Sequence, residues 1–346
     1  MNEKVFATLK SAETEDWFDM HIMRPLSYLW VRLFDRLNVH PNTVTVLSMI
    51  IGGGSCIFFA HGSFYYEGTT GLIYNIIAIL LLMWAALFDC VDGQLARLTG
   101  KKSRLGRILD GVAGFMWYIP IYFGLTYRFY NHHSIEFGLF GISDTPTNIY
   151  IATAVVMCLG FASGLYGLAS QQRLADYYIQ IHLFSLKGAK GSELDTYVQQ
   201  KKIYEEMSWK ESRIWKFFQK TYVDYTRAQE AVTPEFQNLR AVLKEKYNGT
   251  DHIPQEVFDE VHRNSLPLMK YVLMLMFNFR TLILASTCLL DVPVLCFILE
   301  TFGLTLLAHY VNRRHEGFCR RIAVSLNDQT TSPLNDQTTN LPNDQL

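Results

Sequence analysis

The segment "FDCVDGQLARLTGKKSRLGRILDGVAGFM" (88–116) carries three aspartates at the end of an apolar run. If the apolar helix continues past that run, Asp89, Asp92, Gly93, Ala96 and Arg97 fall at i, i+3, i+4, i+7 and i+8, on one face. Gly106, Asp110 and Gly114 fall at i, i+4 and i+8, again on one face. The short basic loop between the two stretches predicts antiparallel neighbouring helices, so the three carboxylates converge at a membrane surface. Ionisable groups in a span are costly and mark function. Three like charges repel and take up protons unless a cation intervenes. Hard oxygen ligands select Mg²⁺ or Mn²⁺, which commonly engage phosphate oxygens as well. Gly93 and Ala96 clear side chains from a ligand's approach. Arg97 offers a fork suited to phosphate. The pattern predicts a site for a metal-bridged diphosphate.

Helices must hold these residues, and the sequence supplies them. The 346 residues carry a formal net charge of -1, which argues neither for nor against an anionic partner. Mean hydropathy is near zero only because apolar and polar residues are segregated. Six apolar blocks, near 44–62, 71–90, 107–127, 148–169, 270–289 and 292–310, are long enough to cross a bilayer, which takes roughly 20 residues. The first block lies too far from the start, behind too few basic residues, for a signal peptide. Lys and Arg concentrate in 91–106, 171–268 and 312–321, and the intervening loops are nearly bare. The positive-inside rule then places both termini and the aspartates in the cytoplasm, as an even number of spans requires. Residues 1–40 read as a cytoplasmic N-terminus, with a helix at 13–37 lying on the interface. Residues 171–268 read as a polar helical cytoplasmic insertion, and 312–346 as a basic, then disordered, tail with "NDQ" repeats. The six cysteines show no CxxC spacing and read as free, small apolar residues.

Asp89-x2-Asp92-Gly93-x2-Ala96-Arg97-x8-Gly106-x3-Asp110-x3-Gly114 resembles the signature of the CDP-alcohol phosphotransferase (CDP-alcohol phosphatidyltransferase) family. Seven of its eight fixed positions are present, between the second and third spans. Pro41-Asn42-x2-Thr45, ahead of the first span, resembles a further family feature. The resemblance implies an all-α integral membrane protein, a six-transmembrane-helix bundle, usually homodimeric. It implies transfer of a substituted phosphate from a CDP-linked lipid donor to an alcohol or polyol-phosphate acceptor, with CMP released. Residues 41–170 would be catalytic helices 1–4, and 269–311 helices 5 and 6. Asp89, Asp92 and Asp110 would hold Mg²⁺ or Mn²⁺. Gly93, Ala96, Arg97, Gly106, Asn42 and Thr45 would bind substrate, with Arg97 stabilising charge in the displacement. Membrane lipids are the expected surroundings, and no nucleic-acid partner is implied.

The family's last aspartate is the expected general base, and here that position is Gly114. Three readings compete. Another carboxylate, or the acceptor's own phosphate, takes the proton. Asp110 both ligates and accepts it. Or the chain is an impaired member that binds lipid or nucleotide, or scaffolds a complex. An intramembrane prenyltransferase is a further alternative, although such enzymes normally need two Asp-rich motifs. Lys101, Lys102, Arg104, Arg107 and Arg173 could bind an acceptor phosphate or anionic lipid heads, and positive-inside topology explains them equally well; the basic surroundings lean towards inositol phosphate or another polyol phosphate as the acceptor. Arg280 and Glu300, each inside an apolar run and about ten residues from the turn near Asp291, are expected to share a depth and pair. His132 and His133 fall outside the site.

Overall fold

The computed structural model describes residues 11–331 except 102, 189–191, 193, 210–212 and 250–251. The expected disordered stretch beyond 331, Lys102, and the side chains of Arg104 and Arg107 lie outside the described residues. The described residues form helices and no strands. A π-helical turn, Asp19–Met23, leads into α1 (Arg24–Arg36). Then come α2 (Pro41–Ala60) and α3 (Thr69–Thr99), α4 (Arg104–Asn131) and α5 (Pro146–Lys187). The polar segment forms α6 (Tyr197–Glu206), α7 (Arg213–Ala231) and α8 (Pro234–Lys246). The chain continues with α9 (Gln255–Leu273) and α10 (Phe277–Leu289), and α11 (Val294–Asp328).

Among the described residues, five helical stretches are long and apolar enough to cross a membrane: α2, α3, α5, the run Gln255–Leu289 and α11. The chain is an integral membrane protein on that evidence. The expected third span lies in α4, which is not among these five; the side chains of residues 104, 107 and 108, at its start, lie outside the described residues.

The chain divides into two compact units, one of residues 1–175 and 271–308, the other of 176–270 and 309–346. In the first, Phe59, Leu82, Trp117, Ile121, Leu284 and Phe297 share one buried core. Helix α2 packs along both α3 and α4, whereas α3 and α4 barely touch each other. This corrects the expectation that α3 and α4 are neighbours: they meet at their joined ends, and α2 serves both. Small residues permit it, as in other membrane helix pairs. A Cβ at Gly53 would stand 2.9 Å from the Met116 carbonyl oxygen, and one at Gly124 2.8 Å from that of Cys56. Helix α1 packs Trp30 and Phe34 on Phe88, with ring centroids 5.3 and 5.7 Å apart. Gln94 donates to Ser27 at 2.6 Å. Leu26, Leu29, Leu33 and Leu37 stay exposed on α1 and the residue that ends it.

Arg280 Nη1 lies 3.4 Å from Glu300 Oε2, both side chains fully buried. Arg280 also donates to Gln171. Tyr122 and Ser163 donate to Glu300. Ser163 and Glu300 both sit in π-helical turns, Ala162–Leu168 and Leu299–Gly303. The widened turns supply two partners of one network, and such turns often do so where a helix must present a polar group. A second buried pair was hidden in the sequence. Arg128, which lies just past the third apolar block, is buried at the end of α4. It pairs with Asp291 and donates to Asn75 at 3.0 Å and to the Cys288 carbonyl at 3.2 Å.

The second unit has an apolar core of its own, including Phe236, Leu239, Val261, Phe318 and Ile322. Tyr178 stacks on His315 with centroids 4.0 Å apart. The basic stretch after 311, expected as a tail, is helical within α11. Val311, His315, Phe318, Ile322 and Leu326 recur at helical spacing and are buried, beneath the arginines that dominate the composition. All six cysteines are free.

Candidate active site

The motif sits where α3 stops and α4 starts, and local signals set both ends. Gly100 closes α3 in the left-handed region, φ +69°, the usual role of glycine at a helix C-terminus. Ser103 opens α4, its Oγ accepting from the Gly106 N–H at 2.9 Å. Pro41 occupies the first turn of α2, where its missing N–H costs nothing, and His40 Nδ1 accepts from Asn42 N at 3.2 Å.

These ends bring the aspartates together. Carboxylate oxygens of Asp89, Asp92 and Asp110 lie within 4.8 Å of one another. Asp92 is buried, Asp89 half-buried and Asp110 exposed. Thr45 Oγ1 donates to Asp92 Oδ2 at 2.5 Å and lies 3.3 Å from the Pro41 carbonyl. Thr45 thus holds an acid in place. Asn42 Oδ1 accepts from Ser103 Oγ at 3.2 Å, and a Cβ at Gly106 would stand 2.8 Å from it. The Arg97 guanidinium covers Gly93, where a Cβ would lie 3.4 Å from Nη1. Arg97 acts electrostatically on Asp92 and Asp110, and its Nε is buried with no hydrogen-bond partner. Ala96 lies half-buried on the same stripe. Three hard oxygen donors at this spacing fit a small divalent cation. Lys101 Nζ donates to Asn38 Oδ1 at 2.7 Å, so that cation is engaged within the fold.

Gly114 is buried, and its surroundings explain the missing side chain. A Cβ there would lie 2.2 Å from Phe277 Cζ and 2.3 Å from Cε1. The ring stacks on Tyr118 with centroids 6.0 Å apart and planes 18° apart. Position 114 is filled by a side chain from α10.

One group near the site escaped the sequence reading, which assigned residues 13–37 to an interfacial helix. Arg24 Nη2 pairs with Glu15 at 2.5 Å. Asn278, next to Phe277, donates to Asp16 Oδ2 at 2.7 Å. Asp16 Oδ1 accepts from the Asp19 N–H at 2.8 Å. Burial, and then Asp16, push the Asp19 carboxyl up to about 6. Arg24 and Asp19 both act electrostatically on Asp89. The density of acids in "ETED" (13–16) was the available signal. His132 and His133 follow the far end of α4, and His133 Nε2 faces Asp144 at 3.3 Å.

Comparison with known proteins gives matches to part of the chain. Residues 38–167 match the model of the CDP-alcohol phosphatidyltransferase family. A curated protein of Aquifex aeolicus (strain VF5), described only as an uncharacterized protein, is 35% identical over 80 residues, 23% of this chain and 35% of its own. The archaetidylinositol phosphate synthase of Pyrococcus horikoshii is 31% identical over 90 residues, 26% of this chain and 42% of its own. The chain thus spans less than half the length of either relative.

Proposed function

We propose, residues 38–167 being a CDP-alcohol phosphatidyltransferase domain, that the chain transfers a phosphatidyl group from a CDP-activated lipid to an alcohol, releasing CMP. The observation that carries this is the approach of the Asp89, Asp92 and Asp110 carboxylates to within 4.8 Å of one another, beside the buried, unpartnered Nε of Arg97. Diacylglycerol is the donor lipid we favour. The acceptor is inositol phosphate or another polyol phosphate; the basic loop after Arg97 and the Pyrococcus relative support that choice. We place α4 in the membrane as a sixth span, α1 on the interface, and both termini and the motif in the cytoplasm. We expect a homodimer.

Asp89, Asp92 and Asp110 would hold Mg²⁺ or Mn²⁺, which when bound offsets the negative charge of the diphosphate. Arg97 forks onto the same phosphates and meets the charge that grows on the departing oxygen. Gly93 and Ala96 leave the stripe open for the nucleotide. Thr45 fixes the direction of Asp92, and Asn42 with Ser103 fixes the start of α4, which carries Asp110. Preorganisation of this kind is what a displacement at phosphorus needs from its protein.

The test is CMP release by purified protein in detergent, given CDP-diacylglycerol, Mg²⁺ or Mn²⁺, and glycerol phosphate, inositol phosphate, inositol, serine or choline in turn. Asp92→Asn is the blank. Acceptor-dependent release that vanishes in the blank supports the transferase and names its acceptor. Absence of release from protein that still binds the donor favours a second reading, a binding or scaffolding member without transfer. The ring of Phe277 against Gly114 is the observation behind that second reading.

A further inference from the structure

We propose a zinc site outside the aspartate motif, with His315 Nδ1, Glu316 Oε1 and Cys319 Sγ as its protein ligands. It does not depend on the transferase reading. The stretch "HEGFC" (315–319) sets these residues at i, i+1 and i+4 of α11. Residues i and i+4 share a helix face, and the longer glutamate side chain reaches back towards it. One ligand atom from each of the three lies within 4.8 Å of the other two. His315 Nδ1 stands 3.6 Å from Cys319 Sγ and 3.6 Å from Glu316 Oε1. A tetrahedral zinc ion, about 2.0 Å from nitrogen or oxygen and about 2.3 Å from sulfur, holds such pairs about 3.3–3.6 Å apart. The chain thus presents its donors at close to the spacing of a loaded site.

Contacts within the second unit fix these donors and leave them available. Glu316 Oε2 accepts from the Glu235 N–H at 2.6 Å, in the first turn of α8. Its other oxygen, Oε1, is buried and has no hydrogen-bond partner. Tyr178 stacks on the His315 ring with centroids 4.0 Å and planes 21° apart, and Phe318 approaches it to 4.6 Å. Both His315 and Cys319 are buried. His315 Nε2 is also buried without a hydrogen-bond partner, so no neighbour dictates the tautomer. In the neutral ring Nδ1 carries either one proton or one lone pair. It can satisfy Sγ or Oε1 but not both, and a carboxylate oxygen left over in the interior is costly. An ion between the three atoms serves all of them at once.

The donor set selects the metal. A thiolate and an imidazole with one carboxylate suit Zn²⁺, whereas Mg²⁺ prefers oxygen ligands of the kind the aspartates offer. Loading takes the proton from the Cys319 thiol to solvent, because the thiolate is the ligand. A water completes the four-coordinate set. The bound ion ties a turn of α11 to α8, since the Glu316 carboxylate holds the metal by one oxygen and the Glu235 N–H by the other.

The experiment is a Co²⁺ titration of the untagged, reduced full chain in detergent, followed by absorbance, for wild type, Cys319→Ala and Glu316→Gln. Wild type should develop a thiolate-to-cobalt charge-transfer band, which an all-oxygen site cannot give, and Zn²⁺ should bleach it. Cys319→Ala should lose the band. Glu316→Gln should weaken the affinity read from it by more than about 10-fold, since even an outer-shell partner is worth 10–100-fold in metal affinity. A wild type without the band overturns the proposal. So does a band that persists in Cys319→Ala, which another cysteine would give, or one that Zn²⁺ leaves in place. Should Cys319→Ala fail to fold, Glu316→Gln decides alone: a loss of more than about 10-fold supports the site, and a smaller change or none overturns it.

Discussion

At the junction of α3 and α4, three carboxylates stand within 4.8 Å of one another. Between α10 and α11, Arg280 lies 3.4 Å from Glu300, and Tyr122, Ser163 and Gln171 bond one or the other of them. Both groups put charge among apolar residues, yet they are built oppositely. The first assembles like charges, which raise the free energy of the fold until something positive joins them. The second assembles opposite charges whose partners are already in the chain. A like-charge cluster calls for a cation from outside; the matched pair has its countercharge within the fold, with Arg280 Nε and Nη1 buried and without a hydrogen bond. This contrast is why we place chemistry at the first and stability at the second, although the second is the more deeply buried.

Substituting each group in turn breaks the comparison if it is wrong. Asp92→Asn should lower CMP release by more than about 10²-fold, since loss of even an outer-shell partner of a metal ligand costs 10–100-fold in affinity or activity. Thermal unfolding without added metal should be unchanged or shifted upward, because one of three repelling charges is gone. A fall in stability with activity kept would reverse the assignment. Arg280→Met should do the converse. Removing one partner of a buried pair costs about 3–5 kcal/mol, because the other charge is left uncompensated. Pairing it with Glu300→Leu should return much of that loss. Thermal scans of the two single variants and the double variant check this; additive losses would mean that the two side chains do not act as a pair.

A smaller effect separates the filled position from the chemistry. Gly114→Ala should destabilise by about 1–3 kcal/mol, the usual range for overpacking, because its Cβ meets the Phe277 ring. In a Phe277→Ala background the same substitution should be nearly neutral. Equal penalties in both backgrounds would show that the ring does not set the residue at 114.

Much of this was legible along the chain. The Asp89–Arg97 stripe and the Gly106–Asp110–Gly114 stripe follow from helical spacing alone, and spacing survives folding because helices do. Arg280 and Glu300 were legible for a similar reason: equal distances from one turn fix equal depth. Other features depended on tertiary contact. Phe277 reaches Gly114 from a distant helix, and no local pattern announces an aromatic ring packed where a side chain at 114 would stand. The Asn278–Asp16 bond, linking α10 to the N-terminal stretch, was hidden in the same way. Arg128 read as a loop residue because the apolar run ends before it, while α4 continues to Asn131. The helix beyond 311 was masked by its arginines, which cover a buried row of Val311, His315 and Phe318.

The smallest predicted effect lies outside both groups, and it tests what an acid does with neither a ligand nor a partner. Glu136 is 1% exposed, on the short helix Ser134–Phe140, and neither carboxylate oxygen has a hydrogen-bond partner. Burial pushes its carboxyl up from 4.5 to about 7. An acid raised on folding binds its proton more tightly in the native state. Its contribution to stability is therefore full below pH 4.5 and is lost as pH rises through about 7. Glutamine keeps the neutral shape at every pH. Glu136→Gln should leave the unfolding temperature nearly unchanged at pH 4.5, then raise it relative to wild type progressively as pH rises to about 7, with the gap constant above that. Glu300→Gln should lower it at neutral pH, because there the charge is what Arg280 requires. A gap at Glu136 that does not vary with pH would mean that the carboxyl stays in one protonation state throughout. The contrast between unpartnered and partnered acids would then fail at its simplest member.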